Sequence, residues 1–85
     1  MMNIMAEMRY EKASQSYEQS KAEIRRAIAK AKMSILAAEK QLELGAVPQA
    51  NLTQAEQCIG LAIHESEKTT VYDEAMKFYG EVVVA

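Results

Sequence analysis

The sequence is poor in the residues that build metal sites, disulfides and tight turns. Among 85 residues it has no tryptophan, one cysteine (Cys58), one histidine (His64), one proline and three glycines. One cysteine cannot form an internal disulfide, and one histidine with one cysteine cannot supply the nitrogen and sulfur ligands of a zinc site. The shortage of glycine and proline excludes a β-sandwich, a barrel and a repeat array, because those folds need frequent turns.

Long apolar runs and a strong charge of one sign are also missing. No stretch of about 18 apolar residues is present, so no segment is predicted to span a bilayer. The first residues lack the basic leader and the apolar run of a signal peptide, and the formal net charge is only -2. We therefore expect one small cytoplasmic domain with no membrane partner.

The first half of the chain carries a helical repeat of seven. Residues 5–44 contain neither glycine nor proline, and strong helix formers dominate them. One apolar set recurs every seven residues, and a second set lies four residues after its later members. The first set is Tyr10, Tyr17, Ile24, Ala31 and Ala38, and the second is Ile28, Ile35 and Leu42. The spacing predicts a helix over 5–44 with a coiled-coil seam from Ile24 to Leu42.

A glycine and a proline end this helix and open another. Gly45 suits a left-handed helix end and Pro48 the start of a new helix, so residues 45–48 are predicted to form a turn. The second helix is predicted over 48–79, with a possible break near Thr69 and Thr70, where a polar stretch interrupts the apolar face. Gly80 is expected to end it, and residues 81–85 to form an apolar tail.

Two amphipathic helices joined by a short turn predict an all-α fold, an antiparallel helical hairpin. The predicted core faces Ile24, Ala27, Ile28, Ala31, Ile35, Ala38 and Leu42 toward Leu52, Ala55, Ile59, Ala62 and Ile63. The two arms also differ in charge. The fold-back is expected to place the basic residues 21–30 beside the acidic side chains of residues 65–74, in exposed pairs that contribute about 0.2–1 kcal/mol each.

Catalytic and nucleic-acid functions find little support in the residue pattern. His64 sits six residues after Cys58, about 240° around a helix at ~100° per residue, and no known catalytic motif includes either residue. We predict no enzyme activity, no cofactor and no metal site, and we expect both residues to be dispensable. The basic stretch Lys21, Arg25, Arg26, Lys30 and Lys32 is the kind that contacts phosphate. A solvated or internally paired face is the favoured interpretation of that stretch.

The remaining class of function is association with another protein. A two-helix hairpin has apolar residues that the other helix does not cover, and such a surface usually marks an interface. The predicted partner-binding residues are Ile24, Ile28, Met33, Ile35, Leu36, Ile59 and Ile63. A dedicated protein partner and self-association both fit this pattern. The alternative function is a homo-oligomeric helical protein, of phage or regulatory type, that contacts DNA through its basic face.

Three stretches resemble the small co-chaperones of type III secretion needle subunits. They are residues 22–28, an Ala- and Arg-rich helix; residues 42–49, with a Gly-x-x-Pro turn; and residues 54–63, a Gln-containing second helix. Together they cover about half of the chain, which departs from that family in its longer N-terminal arm and in residues 72–85. The resemblance implies a cytoplasmic co-chaperone that pairs with a helical-repeat chaperone, keeps the secreted subunit soluble and catalyses nothing.

Overall fold

The computed structural model describes residues 3–84, which form an antiparallel hairpin of two helices. Helix α1 spans Ile4–Glu43 and helix α2 spans Gln49–Val84. The hairpin is a rod 68 Å long and only 13 by 12 Å across. The predicted all-α hairpin is confirmed.

Local hydrogen bonds fix the start of α1 and the turn. The Asn3 side-chain oxygen accepts a hydrogen bond from the Ala6 N–H at 3.1 Å, so Asn3 caps the helix. At the other end, Gly45 has φ of +77°. The Gly45 N–H donates to the Leu42 carbonyl and the Ala46 N–H to the Gln41 carbonyl, at 3.1 and 2.8 Å. These two bonds define a Schellman end, which needs a left-handed residue and therefore favours glycine.

Helix α2 is longer and more regular than predicted. It runs without a break through Thr69 and Thr70, whose hydroxyls donate to the carbonyls of Glu65 and Ser66 at 3.0 and 3.1 Å. These hydroxyls satisfy acceptors of the preceding turn, so the polar stretch stays helical. The predicted end near Tyr79 and the separate apolar tail are wrong: residues 81–84 belong to α2, and Ala85 lies outside the described residues.

The seam between the helices uses a different heptad register from the one predicted for α1. The set that recurs every seven residues from Tyr10 to Ala38 does face α2. The second set of seam residues lies three residues after the first set rather than four, and its members are mostly small. The six buried residues of α1 are Ala6, Ala13, Ser20, Ala31, Ser34 and Ala38. Small side chains let two helices pack closely, and this close packing leaves the larger aliphatic residues at the sides.

Helix α2 contributes a matching seam that is unbroken from end to end. Its members alternate at spacings of three and four, and every one of them is buried or half-buried. They are Asn51, Ala55, Cys58, Ala62, Glu65, Thr69, Tyr72, Met76, Tyr79 and Val83. The seam therefore passes through the stretch that the sequence suggested as an interruption, because Glu65 and Thr69 are themselves seam residues.

Half of the predicted core is therefore wrong. Ala31, Ala38 and Ala55 are buried, and Ile24, Ala27 and Ala62 are half-buried. The larger aliphatic residues of the predicted core are instead exposed: Ile28, Ile35, Leu42, Leu52, Ile59 and Ile63. Among the described residues no large side chain is fully buried. The hairpin thus buries alanine and serine and leaves its strongest hydrophobes outside.

Polar contacts between the helices concentrate at one level of the rod. The Ser20 hydroxyl donates to the Glu65 carboxylate at 2.9 Å and lies 2.6 Å from the Thr69 hydroxyl. The predicted pairing of opposite charges across the hairpin is wrong. All four ion pairs within residues 3–84 join residues of the same helix: Lys21–Glu18, Arg26–Glu23, Lys68–Glu65 and Lys77–Asp73.

Candidate partner-binding surface

One side of the rod carries a shallow apolar groove, here called the isoleucine groove. Ile28 and Ile35 of α1 face Ile59 and Ile63 of α2 across it, and the groove has a volume of about 360 Å³. Its remaining lining residues are Ala31, Ala62, Lys32 and Ser66. Four of the seven predicted partner-binding residues are brought together here, although two different helices supply them.

The groove extends toward the turn through two leucines that the sequence interpretation placed in the core. Leu42 lies seven residues after Ile35, and Leu52 lies seven residues before Ile59, so each continues its neighbour's line along the helix. The six aliphatic side chains are between 39% and 62% exposed. The heptad repeat of small residues in α1 was the sequence signal that could have predicted this exposure. When alanine and serine form the seam, the isoleucines and leucines lie beside it.

The other three predicted residues lie elsewhere. Ile24 is half-buried in the seam, where it packs within the hairpin. Met33 and Leu36 point away from α2 and are 70% and 61% exposed. Together with the exposed Ala29 and Ala37 they form the outer surface of α1. The predicted set therefore divides between seam, groove and outer surface.

Basic side chains surround this outer surface. Arg25, Lys30, Lys32 and Lys40 are exposed, and none of them makes an ion pair within residues 3–84. Since α2 does not neutralise them, the outer surface of α1 combines aliphatic side chains with available positive charge. A surface of this kind favours a partner that is apolar with an acidic rim.

The opposite side of the rod is polar. A cleft of about 380 Å³ there lies over the Ser20–Glu65 contact and includes the Glu65–Lys68 and Glu23–Arg26 ion pairs. Its other lining residues are Ser16, Gln19 and Tyr72. The polar lining of this cleft contrasts with the aliphatic lining of the isoleucine groove.

Cys58 and His64 lie on the same continuous helix, α2, and line the same cleft. That cleft has a volume of about 300 Å³ and is also lined by Glu65 and Lys30. The Cys58 thiol is buried in the seam, and within the described part of the chain no hydrogen bond joins it to the His64 ring. Thiol catalysis relies on such a nucleophile–base contact. That both residues are dispensable stays a prediction.

Three further findings bear on function. Residues 3–84 contain no group of three or more His, Cys, Asp or Glu side chains placed to hold a metal ion. Neither helix, over the same residues, has a segment apolar enough along its length to cross a bilayer. Comparisons with protein families, with curated proteins and with solved structures give no match to this chain.

Proposed function

We propose that this chain is a protein-binding adaptor that acts by helix–helix docking and catalyses no reaction. The observation that carries the proposal is the distribution of hydrophobic side chains. Near the turn the seam takes small residues, whereas the larger aliphatic side chains there remain exposed in the groove and on the outer surface of α1. Monomeric proteins rarely expose so much contiguous aliphatic surface unless another protein covers it.

The partner proposed for the outer surface of α1 is a helical protein with an apolar, acid-rimmed face. Met33 and Leu36 supply the apolar contact, and Lys30 and Lys40 supply the charges that an acidic rim would pair. A concave helical-repeat surface has the shape to receive one side of a long rod. This chemistry agrees with the role that the sequence resemblance implies, a cytoplasmic co-chaperone of a type III secretion needle subunit acting with a helical-repeat chaperone.

The test is capture of the partner by the full chain, followed by reconstitution. The tagged chain is purified from its native cell and co-purifying proteins are identified by mass spectrometry. The captured protein is then co-expressed with the wild-type chain, with Leu36→Asp and with Gln15→Asp. Gln15 is exposed and lies three heptads before Leu36 on the same face of α1, so its variant adds the same carboxylate outside the proposed surface.

The expected result is a stoichiometric complex with an acidic helical protein that Leu36→Asp weakens by at least tenfold and Gln15→Asp leaves unchanged. Equal effects of the two variants would contradict the proposed surface. Retention on DNA that falls steeply with salt, in the absence of a protein partner, would contradict the proposed function and favour the DNA-contacting alternative.

A further inference from the structure

The isoleucine groove is too large a feature to be explained by the hairpin itself. Four isoleucines from both helices line it, Leu42 and Leu52 continue their two lines toward the turn, and the seam beneath it is already closed by alanine, serine and Cys58. No described residue lies over the groove. Because the side chains that the hairpin itself fully buries are small, covering this groove would add burial of large aliphatic side chains and so stabilise the molecule.

We propose that a second copy of this chain covers the isoleucine groove, so that two hairpins form a four-helix bundle with both turns at the same end. In this arrangement α1 of one copy packs antiparallel to α2 of the other. Ile28 and Ile35 of one copy then face Ile59 and Ile63 of its partner. The interface is self-complementary, as a twofold dimer requires.

The area available supports this arrangement. One side of a rod 68 Å long and 13 Å wide offers about 900 Å², and stable interfaces bury about 800 Å² per partner. In the alternative dimer, one hairpin is turned end for end about the middle of the groove, so that the two turns point in opposite directions. The two copies would then overlap only in the parts near their turns. The middle of the groove lies about 14 residues from the turn, so at ~1.5 Å per residue that overlap is about 42 Å long and covers about 550 Å². Full-length pairing therefore buries substantially more surface.

The charges beside the groove are also complementary between copies. Lys32 of α1 lines the groove, and Glu56 of α2 lies one heptad before Ile63 on the same line of the helix; neither makes an ion pair within residues 3–84. The Gln41–Asn51 and Ser20–Thr69 contacts fix the relative heights of the helices and place Lys32 within about one helical turn of the level of Glu56. In the proposed dimer each Lys32 meets Glu56 of the other copy. The reversed arrangement would bring the two Lys32 side chains together.

Farther from the turn the same side of the rod is polar. Lys21 of α1 and Asp73 of α2 occupy the positions that the isoleucines hold nearer the turn. The dimer would thus have a dry, aliphatic half and a wet, charged half. The groove is assigned to the second copy, and the outer surface of α1 stays open for the partner proposed above.

The experiment measures the mass of the full chain in solution by sedimentation equilibrium over a range of concentrations. The compared variants are Ile59→Asp and Leu61→Asp. Leu61 is a similarly exposed aliphatic residue of α2 that lines the cleft on the opposite side, so it is a matched control. The wild type and Leu61→Asp are expected at twice the single-chain mass of 9.5 kDa. Ile59→Asp is expected to raise the dissociation constant at least about 100-fold, as for a central interface residue.

Circular dichroism on each variant separates dissociation from unfolding, and Ile63→Ser, a milder change at the edge of the groove, is used if Ile59→Asp loses its helix. The arrangement is tested by charge reversal. Lys32→Glu is expected to weaken the dimer about 2- to 10-fold, as for exposed ion pairs, and adding Glu56→Lys is expected to restore it.

Three results would overturn the proposal: a helical single chain at every concentration, equal dissociation by Ile59→Asp and Leu61→Asp, or a dimer that Ile59→Asp leaves intact. Strengthening by the neutral variant Lys32→Gln, which would remove repulsion between two facing Lys32 side chains, would overturn the arrangement in favour of the reversed one. These outcomes are independent of the proposed function, which is read from partner capture by Leu36→Asp.

Discussion

The half of the rod next to the turn and the half next to the termini use side chains of different size where the two helices pack. Near the turn the seam is built almost entirely from small residues: Ala27, Ala31, Ser34, Ala38, Ala55, Cys58 and Ala62. Near the termini rings and longer side chains enter the seam: Tyr10, Tyr17, Tyr72, Met76 and Tyr79. The fold-back gathers the aromatic residues at that end.

The seam of the terminal half accommodates several large side chains, although Ile4, Met5, Met8 and Phe78 are exposed there. The Tyr10 ring lies against Gly80, where a Cβ would be 3.4 Å from the ring. The Arg9 guanidinium lies 5.9 Å from the centre of the Tyr79 ring, a cation–π contact. Near the turn the closed alanine seam leaves the isoleucines and leucines at the side. The difference shows that close packing of small residues leaves hydrophobic surface available for another protein.

The largest loss of stability is expected when a charge is placed in the seam of small residues near the turn. Ala38 is only 2% exposed, whereas its neighbour Ala37 is exposed. Ala38→Asp should lower the free energy of unfolding by several kcal/mol, because a buried carboxylate has no partner there. Ala37→Asp should change it by about 0.5 kcal/mol or less. Urea denaturation at one protein concentration measures both, and similar midpoints would show that the seam is misassigned.

The terminal half should depend on its polar contact. Ser20→Val removes the hydroxyl that serves both the Glu65 carboxylate and Thr69, and it should lower the free energy of unfolding by about 1–3 kcal/mol because those groups lose a partner. Ser16, one turn earlier and half-buried in the same cleft, provides the control Ser16→Val. Chemical denaturation measures the two changes, and a larger loss for Ser16→Val would contradict the role of the contact.

Replacing the glycine of the turn and the glycine inside α2 should change stability in opposite directions. Gly45→Ala should destabilise the hairpin by about 1–2 kcal/mol, because its left-handed φ of +77° disfavours a Cβ. Gly60 is in the interior of α2 and open space surrounds it, so Gly60→Ala should stabilise by about 0.5–1 kcal/mol. Thermal melting followed by circular dichroism should show shifts of opposite sign.

The smallest effects are expected at the two residues that carry the most reactive side chains. His64 is exposed, so His64→Ala should change stability by about 0.5 kcal/mol or less. Cys58→Ser should preserve the fold and any partner binding, since the seam accepts small residues at that level. Loss of a measured activity in either variant, with its helix content intact, would revive a catalytic function.

Much of the fold follows from the sequence alone. The scarcity of glycine and proline, the seven-residue repeat and the Gly45–Pro48 turn were enough to predict an antiparallel helical hairpin, because these features act locally. Part of the candidate surface followed as well: Ile28, Ile35, Ile59 and Ile63 were predicted as partner-binding residues, and the structure places them in one groove.

Only the tertiary structure decided which face of each helix meets the other. Two heptad registers of α1 both include the set from Tyr10 to Ala38. They differ in whether the second set of seam residues includes the isoleucines or the serines, and periodicity alone does not decide between them. The pairing with α2 decides, because Ser20 finds Glu65 and Thr69 opposite it and the alanines allow close packing. The same pairing keeps α2 continuous through Thr69 and Thr70. The sequence thus determined two helices and a turn, and the contact between the helices determined which hydrophobic residues remain exposed.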